Sequence, residues 1–330
     1  MRRAADSILK DTTMARDAKT GVTLSKLGEV GLIRRLARRV SKPSSVLVGI
    51  GDDAALVRGP RGSRLLFASD MVIEGVHFSQ RDVPPQWIGW KALACNISDI
   101  AAMGGQPTHA VVSLGLPPST PLRIVDGLYR GLARCARRFG VAIVGGDTVR
   151  APVLIVDVAI LGRVPPHGRV VLRSGARVGD HLFVTGQLGG SLASGWHARF
   201  IPRLREARWL LARVPIHAMM DVSDGLAADL WQLARASRVR IRIEARAIPI
   251  ARGRLNAISD RKPALWHALM DGEDFELLFA VSPRVAATLP RRIGRVALTP
   301  IGIVSGRGAT VELVNNGRIE PIIPAGFRHF

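Results

Sequence analysis

Strand-like and helix-like apolar patterns alternate along both halves of this chain of 330 residues. In the first half, residues 27–40, 85–103 and 122–139 carry apolar side chains at helical spacing, whereas residues 45–50 and 110–116 are short apolar runs typical of strands. A chain of this length is too long for one typical core and about right for two domains. The alternation therefore predicts two mixed α/β domains of similar size.

A stretch rich in proline and glycine, residues 163–169, is the best linker between the two halves. We therefore predict an N-terminal domain over residues 23–165 and a C-terminal domain over residues 166–330. Within the second domain, the apolar patterns predict helices over residues 191–200 and 224–237.

Residues 1–22 are polar and charged, and they lack the apolar region that a secretory signal needs. We expect them to form a flexible N-terminal extension. No run of about 18 apolar residues occurs, so no membrane span is predicted. The two cysteines, Cys95 and Cys135, are far apart and outside any Cys-x-x-Cys spacing, which argues against a disulfide framework and favours a cytoplasmic protein.

The formal net charge of +21 comes mostly from arginines that are dispersed along the chain. A basic nucleic-acid-binding module is therefore an alternative function, because phosphate backbones attract such a charge. The chain has only one tyrosine, however, so aromatic platforms for single strands are poor. Arginine-rich usage in an ordinary globular protein explains the charge better, and nucleic acid is not an expected partner.

Acidic residues nevertheless gather at the ends of predicted strands and the starts of predicted helices, where α/β proteins place ligands. They are Asp52 and Asp53 after residues 46–50, Asp70 after 65–68, Asp99 in the helix 85–103, Asp147 after 141–146, Asp221 and Asp224 around a helix start, and Glu273 and Asp274 before a strand. Converging carboxylates repel one another unless a cation neutralises them, and Mg²⁺ binds carboxylate and phosphate oxygens. The set thus predicts a magnesium site, although any one aspartate alone is more often a turn residue or helix cap.

Three further features suit phosphate groups but also have simpler explanations. The segment Gly145-Gly146-Asp147-Thr148 follows a buried strand, and its glycines either let the backbone approach a phosphate or form an ordinary tight turn. Ser223 opens a predicted helix as an N-cap or as part of an anion site. Arg173 is a solvated arginine or a phosphate ligand. No P-loop occurs, and the glycines around Asp52 do not open a helix, which excludes a dinucleotide fingerprint.

Seven short motifs rich in glycine and acidic residues follow one another along the chain. They are GDD at residues 51–53, SDMVIEGVHF at 69–78, KALACNISDIAAMG at 91–104, GGDT at 145–148, LRSGARVGD at 172–180, DVSDG at 221–225 and GEDFEL at 272–277. With these motifs the chain resembles thiamine-monophosphate kinase, of the superfamily that includes aminoimidazole ribonucleotide synthetase. The resemblance runs from Leu27 to the last residue, and aminoimidazole ribonucleotide synthetase is the alternative enzyme.

The resemblance implies an ATP-dependent phosphotransferase that transfers the γ-phosphoryl group of ATP to thiamine monophosphate and makes thiamine diphosphate, as in thiamine biosynthesis. It implies direct in-line transfer with several Mg²⁺ ions, no phosphoenzyme and no assigned general base. Such transfer depends mainly on positioning and charge neutralisation. The resemblance also implies a homodimer whose N-terminal domains pair through their sheets, a C-terminal sheet covered by helices, and an active site in a cleft between the two domains of each chain.

Motif position in the resembled family also assigns roles to individual residues. The expected metal ligands are Asp53, Ser69, Asp70, Asp99, Asp147, Asp221 and Asp224. The expected ATP contacts are Gly146, Asp147, Arg173 and Ser223, and the expected contacts to thiamine monophosphate are His77, Glu273 and Phe327. Asp52 is expected to serve the turn beside Asp53 or to support the metal ligands without contacting the metal.

Two positions depart from the family pattern. Ala68 stands where the family usually has a first hydroxyl residue before Ser69 and Asp70, so one metal would lose a side-chain ligand or use a backbone oxygen or water. Pro324 stands where an aromatic residue commonly packs on the substrate, and Phe327 is the expected substitute.

Overall fold

The computed structural model describes residues 23–327 and 329, and the predicted extension over residues 1–22 lies outside the described residues. Helix α1, Leu24–Ala37, belongs to a first unit. Residues Pro43–Phe327 form a second compact unit, which contains both β-sheets.

Six strands of the second unit form the first sheet, in the order β1-β2-β3-β6-β4-β5. Their bounds are β1 Val46–Val48, β2 Ala55–Arg58, β3 Arg64–Ile73, β4 Gln106–Leu116, β5 Ala142–Arg150 and β6 Ile155–Arg163. Strands β4 and β5 pair in parallel, whereas the other neighbours are antiparallel. Strand β5 therefore lies at an edge of the sheet.

The second sheet runs in the order β14-β13-β9-β12-β7-β10-β8, and the short strand β11 pairs with β12. The bounds are β7 His181–Thr185, β8 Ala218–Val222, β9 Val239–Glu244, β10 Glu276–Val281, β11 Arg292–Ile293, β12 Val296–Arg307, β13 Thr310–Asn315 and β14 Arg318–Pro321. Strands β9 and β13 pair in parallel, and β10 lies antiparallel between β7 and β8.

Helix α2 is the central helix of the second unit. The helices are α2 Pro85–Ala102, α3 Leu122–Phe139, α4 Trp196–Arg199, α5 Leu204–Arg213, α6 Leu226–Ser237, α7 Arg252–Leu255, α8 Ala264–Met270 and α9 Pro283–Ala286. Helix α2 is apolar on all sides and is almost entirely buried, because it contacts strands β3 and β6, helix α3 and also strand β8 of the second sheet. It therefore carries residues of the first half of the chain to the second sheet.

The second sheet buries both of its faces, and the alternation of side chains along its strands decides which face each one occupies. In β10, Leu277 and Phe279 pack in the core that includes helix α2, whereas Leu278 packs in the core that includes helix α6. In β8, Met220 belongs to the α6 core, so its neighbour Asp221 lies on the face directed toward helix α2. This alternation places an acidic side chain inside the molecule.

The predicted class, two mixed α/β sheets with helices, is confirmed. The predicted helix over residues 191–200 is wrong, because Gly195 adopts a left-handed conformation with φ of 68° and only Trp196–Arg199 is helical. The domain boundary at residues 165 and 166 stays a prediction. Among the described residues, no helix has the length and apolar character needed to cross a membrane.

Candidate functional site

Three aspartates that are distant in sequence form a compact cluster in the second unit. Carboxylate oxygens of Asp53, Asp99 and Asp221 all lie within 4.8 Å of one another. Asp53 follows strand β1, Asp99 lies in the last turn of helix α2, and Asp221 lies in strand β8. The structure thus brings three of the predicted metal ligands together.

Burial and mutual repulsion disfavour the charged forms of these aspartates. Burial raises the pKa of Asp99 well above its ordinary value, and the charges of Asp70 and Asp221 raise it further. Burial and the charge of Asp53 raise the pKa of Asp221 to about 8. Burial also raises the pKa of Asp53, although Arg173 opposes the shift. The cluster therefore favours a bound cation or bound protons.

The donor set fits a hard divalent cation. The cluster offers carboxylate oxygens, which are the ligands that Mg²⁺ prefers. The Oδ2 atom of Asp53 is buried and has no hydrogen-bond partner, so one acceptor is open toward the interior. Two neighbours complete the group, since Ser98 Oγ donates to Asp221 Oδ2 at 2.5 Å and Asp70 shares a hydrogen bond with Asp99.

Arg173 is the cation that contacts the cluster. Its Nε and Nη2 atoms donate to Asp53 Oδ1 at 3.1 and 2.7 Å. Its backbone N–H donates to Asp52 Oδ2 at 3.2 Å, and Asp52 Oδ1 also accepts from the Asp53 N–H at 3.1 Å. Asp52 therefore holds both the local backbone at Asp53 and the backbone of the distant Arg173. One guanidinium does not neutralise three or more carboxylates, so the site retains negative character.

Two other predicted metal ligands lie on the opposite face of the first sheet from Asp70. Ser69 Oγ donates to Asp157 Oδ1 at 3.0 Å, and both groups are exposed to solvent. Asp157 pairs with Ser113, and Ser113 pairs with Asp147, so these residues form a row across strands β6, β4 and β5. Side chains of paired residues share a face, which places Ser69 and Asp147 in one exposed polar row.

Gly146 lies inside strand β5 and not in a turn, so the tight-turn explanation of the GGDT segment is wrong. Its partner in strand β4 is Val112, and a Cβ atom at position 146 would collide with the backbone oxygen of Val112. The close approach of the two strands therefore requires glycine here. The predicted contact between Gly146 and ATP stays a prediction.

A second group of acidic side chains, Asp224 and Asp229, lies near the start of helix α6. The Ser223 N–H donates to Asp229 Oδ2 at 3.1 Å, and Gln232 Nε2 donates to Asp224 Oδ2 at 3.1 Å and to Asp229 Oδ1 at 3.2 Å. Gln232 also accepts a hydrogen bond from Arg173. Burial raises the pKa of Asp229 well above its ordinary value, and the charge of Asp224 adds to the shift. Gln232 thus connects this group to the Asp53 cluster.

The predicted contacts to thiamine monophosphate also lie near one another. The ring centroids of His77 and Phe327 are 5.9 Å apart, and the Phe327 N–H donates to the backbone oxygen of Asp224 at 3.0 Å. Lys91 donates to the backbone oxygen of His77 at 2.7 Å and to Glu273 Oε1 at 2.5 Å. Lys91 therefore links two of the predicted substrate residues.

Several residues that were not predicted as site residues contact the predicted site. They are Lys91, Ser98, His197, Asp229 and Gln232. A lysine inside the apolar helix 85–103 was a readable signal for Lys91, because a buried ammonium group requires partners. Ser98 lies in the quoted motif 91–104, but its contact with Asp221 depends on tertiary packing, as do the positions of His197 and Gln232.

Comparisons with known proteins place this geometry in a family. The family model "AIR synthase related protein, N-terminal domain" matches residues 51–164, and the model "AIR synthase related protein, C-terminal domain" matches residues 197–314. The fold and the site therefore belong to the class of AIR synthase related proteins.

Curated relatives narrow the class. The thiamine-monophosphate kinase of Rhodopirellula baltica is 40% identical over 313 residues, which cover 91% of this chain and 97% of that protein. The thiamine-monophosphate kinase of Synechococcus elongatus is 36% identical over 333 residues, covering 93% and 98%. The solved structure of AaThiL complexed with AMPPCP and TMP matches with a TM-score of 0.80 at 31% identity, covering 94% of this chain and all of that one. The chain belongs to the thiamine-monophosphate kinase family.

Proposed function

We propose that this protein phosphorylates thiamine monophosphate with ATP and so makes thiamine diphosphate. The observation that carries the proposal is the buried cluster of Asp53, Asp99 and Asp221, which lies in a chain related to thiamine-monophosphate kinases over most of its length. Phosphoryl transfer requires charge neutralisation and positioning more than covalent chemistry. The described site matches that requirement, because carboxylate oxygens that can hold metal ions converge there.

We infer that the metal ions are magnesium. The proposed ligands are Asp53, Ser69, Asp70, Asp99, Asp147, Asp221 and Asp224. When bound, magnesium ions neutralise the phosphate oxygens of both substrates. The open Oδ2 atom of Asp53 and the raised pKa values of Asp99 and Asp221, which burial causes, support this assignment.

We propose that the two substrates bind between the exposed polar row, which contains Ser69 and Asp147, and the carboxylate of Glu273. Gly146, Asp147, Arg173 and Ser223 are the proposed ATP contacts, and His77, Glu273 and Phe327 are the proposed contacts to thiamine monophosphate. Arg173 now holds Asp53 and is close enough to the cluster to contact a phosphate there. The proximity of the His77 and Phe327 rings supports Phe327 as the aromatic residue that replaces the one expected at Pro324.

We also propose a cytoplasmic homodimer that pairs through the first sheet. The sheet face opposite helix α2 exposes large apolar side chains, among them Phe67, Met71, Val111 and Val149. Apolar patches of this kind mark protein interfaces. Both cysteines are free and buried, which suits a reducing compartment. Sedimentation equilibrium of the purified protein tests the dimer, and a monomer at micromolar concentration would contradict it.

The test of function is a direct assay. The purified protein is incubated with thiamine monophosphate, ATP and Mg²⁺, and thiamine diphosphate is measured by chromatography. We expect stoichiometric formation of thiamine diphosphate and ADP, with no product when EDTA removes the metal. With γ-labelled ATP, the label should appear in thiamine diphosphate and none should remain on the protein. A folded protein that makes no thiamine diphosphate would overturn the proposal.

A further inference from the structure

Lys91 is a fully buried lysine in the middle of the apolar helix α2. Its ammonium group has three acceptors around it. These are the backbone oxygen of His77 at 2.7 Å, Nδ1 of His197 at 3.1 Å and Oε1 of Glu273 at 2.5 Å. An ammonium group has three hydrogens, so all of its donors have partners.

This arrangement leaves one oxygen of Glu273 available. Since Lys91 binds Oε1 and occupies Nδ1 of His197, the buried Oε2 atom has no hydrogen-bond partner. The ring of His197 lies beside the carboxylate, with Nδ1 3.4 Å from Oε2. Glu273 is therefore a carboxylate whose charge is balanced within the fold and whose second oxygen is free to accept a hydrogen bond.

The backbone around Glu273 is also held in an unusual conformation. Glu273 and Phe275 have φ angles of 55° and 52°, a left-handed region that is unfavourable for residues other than glycine. Two backbone hydrogen bonds maintain it, from Glu273 N to Ser223 O at 2.7 Å and from Phe275 N to Val222 O at 2.8 Å. Such strain persists where the surroundings determine the geometry, and here it directs Glu273 toward Lys91.

We propose that Lys91, supported by His197, is a positioning residue for the acceptor substrate. Through Glu273 Oε1 it fixes the carboxylate so that Oε2 accepts a hydrogen bond from thiamine monophosphate, and through the His77 oxygen it holds the His77 segment on the same side. The proposal rests on the proposed function. The N–H donor that thiamine monophosphate offers is its pyrimidine amino group. Lys91 and Glu273 together therefore recognise the pyrimidine end of the substrate.

The substrate analogue oxythiamine monophosphate provides a sharp test, because it carries a carbonyl oxygen in place of the amino group. We expect the unmodified enzyme to prefer thiamine monophosphate over the analogue by about 10-fold or more in kcat/KM, since a site built for a donor rejects an acceptor. In Lys91→Met, the KM for thiamine monophosphate should rise about 10-fold or more, the KM for ATP should change by less than about two-fold, and the preference should shrink. Calorimetric binding of thiamine monophosphate without ATP should weaken in parallel.

Lys91→Met leaves the Glu273 carboxylate without its cation, so a double variant guards against loss of folding. Lys91→Met with Glu273→Gln removes both charges, and we expect it to fold and still to lack the preference. Arg203→Met is the matched control, because it breaks another buried ion pair, with Glu276, and should leave the preference intact. A folded Lys91→Met or double variant with the normal preference and affinity would overturn this proposal. An inactive unmodified enzyme would instead overturn the proposed function.

Discussion

Buried carboxylates occur in two different settings in this chain. Asp53, Asp99 and Asp221 lie within 4.8 Å of one another and have Arg173 as their contacting cation. Glu273 and Glu276 are also buried or largely buried, but each has its own cation, Lys91 for Glu273 and Arg203 for Glu276. The first group contains more negative charge than the fold neutralises, whereas the second group is paired within the fold.

The pKa values follow this difference. Burial raises the pKa of Asp99 and of Asp221, because Arg173 and the Ser98 hydroxyl group only partly offset the lost hydration and the repulsion between neighbouring carboxylates. Burial acts in the same direction on Glu273, but His197 and the charge of Lys91, which lie beside the carboxylate, outweigh it, and the pKa of Glu273 is lowered. Burial thus has opposite results, depending on whether a cation belongs to the fold. The comparison indicates that the aspartate cluster is built for an external cation and that the glutamate pairs are not.

The largest expected effect comes from removing the open oxygen of the aspartate cluster. We expect Asp53→Asn to lower kcat/KM for phosphoryl transfer by about 10³-fold or more, because a metal ligand and its charge are lost. Far-ultraviolet circular dichroism should show an unchanged fold. Asp126→Asn, an exposed aspartate on helix α3, is the matched control and should retain full activity. Near-normal activity of Asp53→Asn would remove Asp53 from the proposed metal site.

A substitution in a glutamate ion pair should change the stability of the protein and not its metal binding. We expect Arg203→Met to lower the free energy of unfolding by about 3–5 kcal/mol, because Glu276 is left buried without its cation. Urea denaturation measures the change, and the double variant with Glu276→Gln should recover part of it. If Arg203→Met is as stable as the unmodified protein, the contrast between the two settings does not hold for this pair.

Much of the fold could be predicted because its cause is local. The alternation of helical and strand spacing is a property of neighbouring residues, so it indicated two α/β halves and the buried helix α2. Asp221 was recognisable as a candidate ligand because Asp221 and Asp224 stand around the start of a predicted helix. The direction of its side chain toward helix α2 follows from the period of two along strand β8.

Other parts of the site could not be predicted because they depend on contacts between distant segments. Lys91 and Glu273 are separated by 182 positions, and no spacing rule connects them. The GGDT segment suits a turn by composition, but pairing with strand β4 draws it into strand β5. Pairing between strands is set by the whole sheet, so local propensity is overridden there.

Magnesium should stabilise the protein through the aspartate cluster. At a free Mg²⁺ concentration about 100 times its dissociation constant, linkage adds about 2.7 kcal/mol to the free energy of unfolding. We expect this gain in thermal and urea denaturation of the unmodified protein and its loss in Asp53→Asn with Asp221→Asn. Arg203→Met should keep the gain, because Glu276 is already paired. An equal gain in the double aspartate variant would place the magnesium elsewhere.

The smallest expected effect, taken per pH unit and per titrating group, is on the stability of the protein without metal. Burial and the charge of Asp53 raise the pKa of Asp221 to about 8, and burial with the same charge raises the pKa of Asp52 to about 6. The folded protein therefore holds protons that the unfolded chain releases above about pH 4, so the free energy of unfolding should fall as pH rises from about 4 to 8. Each such group contributes at most about 1.4 kcal/mol per pH unit.

Urea denaturation in EDTA measures the slope, which Asp221→Asn should reduce between pH 6 and 8. Buried Asp274, whose pKa burial raises to about 8, contributes with the same sign and remains in that variant. An unchanged slope in Asp221→Asn would mean that Asp221 is ionised in the folded protein, and the aspartate cluster would then resemble the paired glutamates.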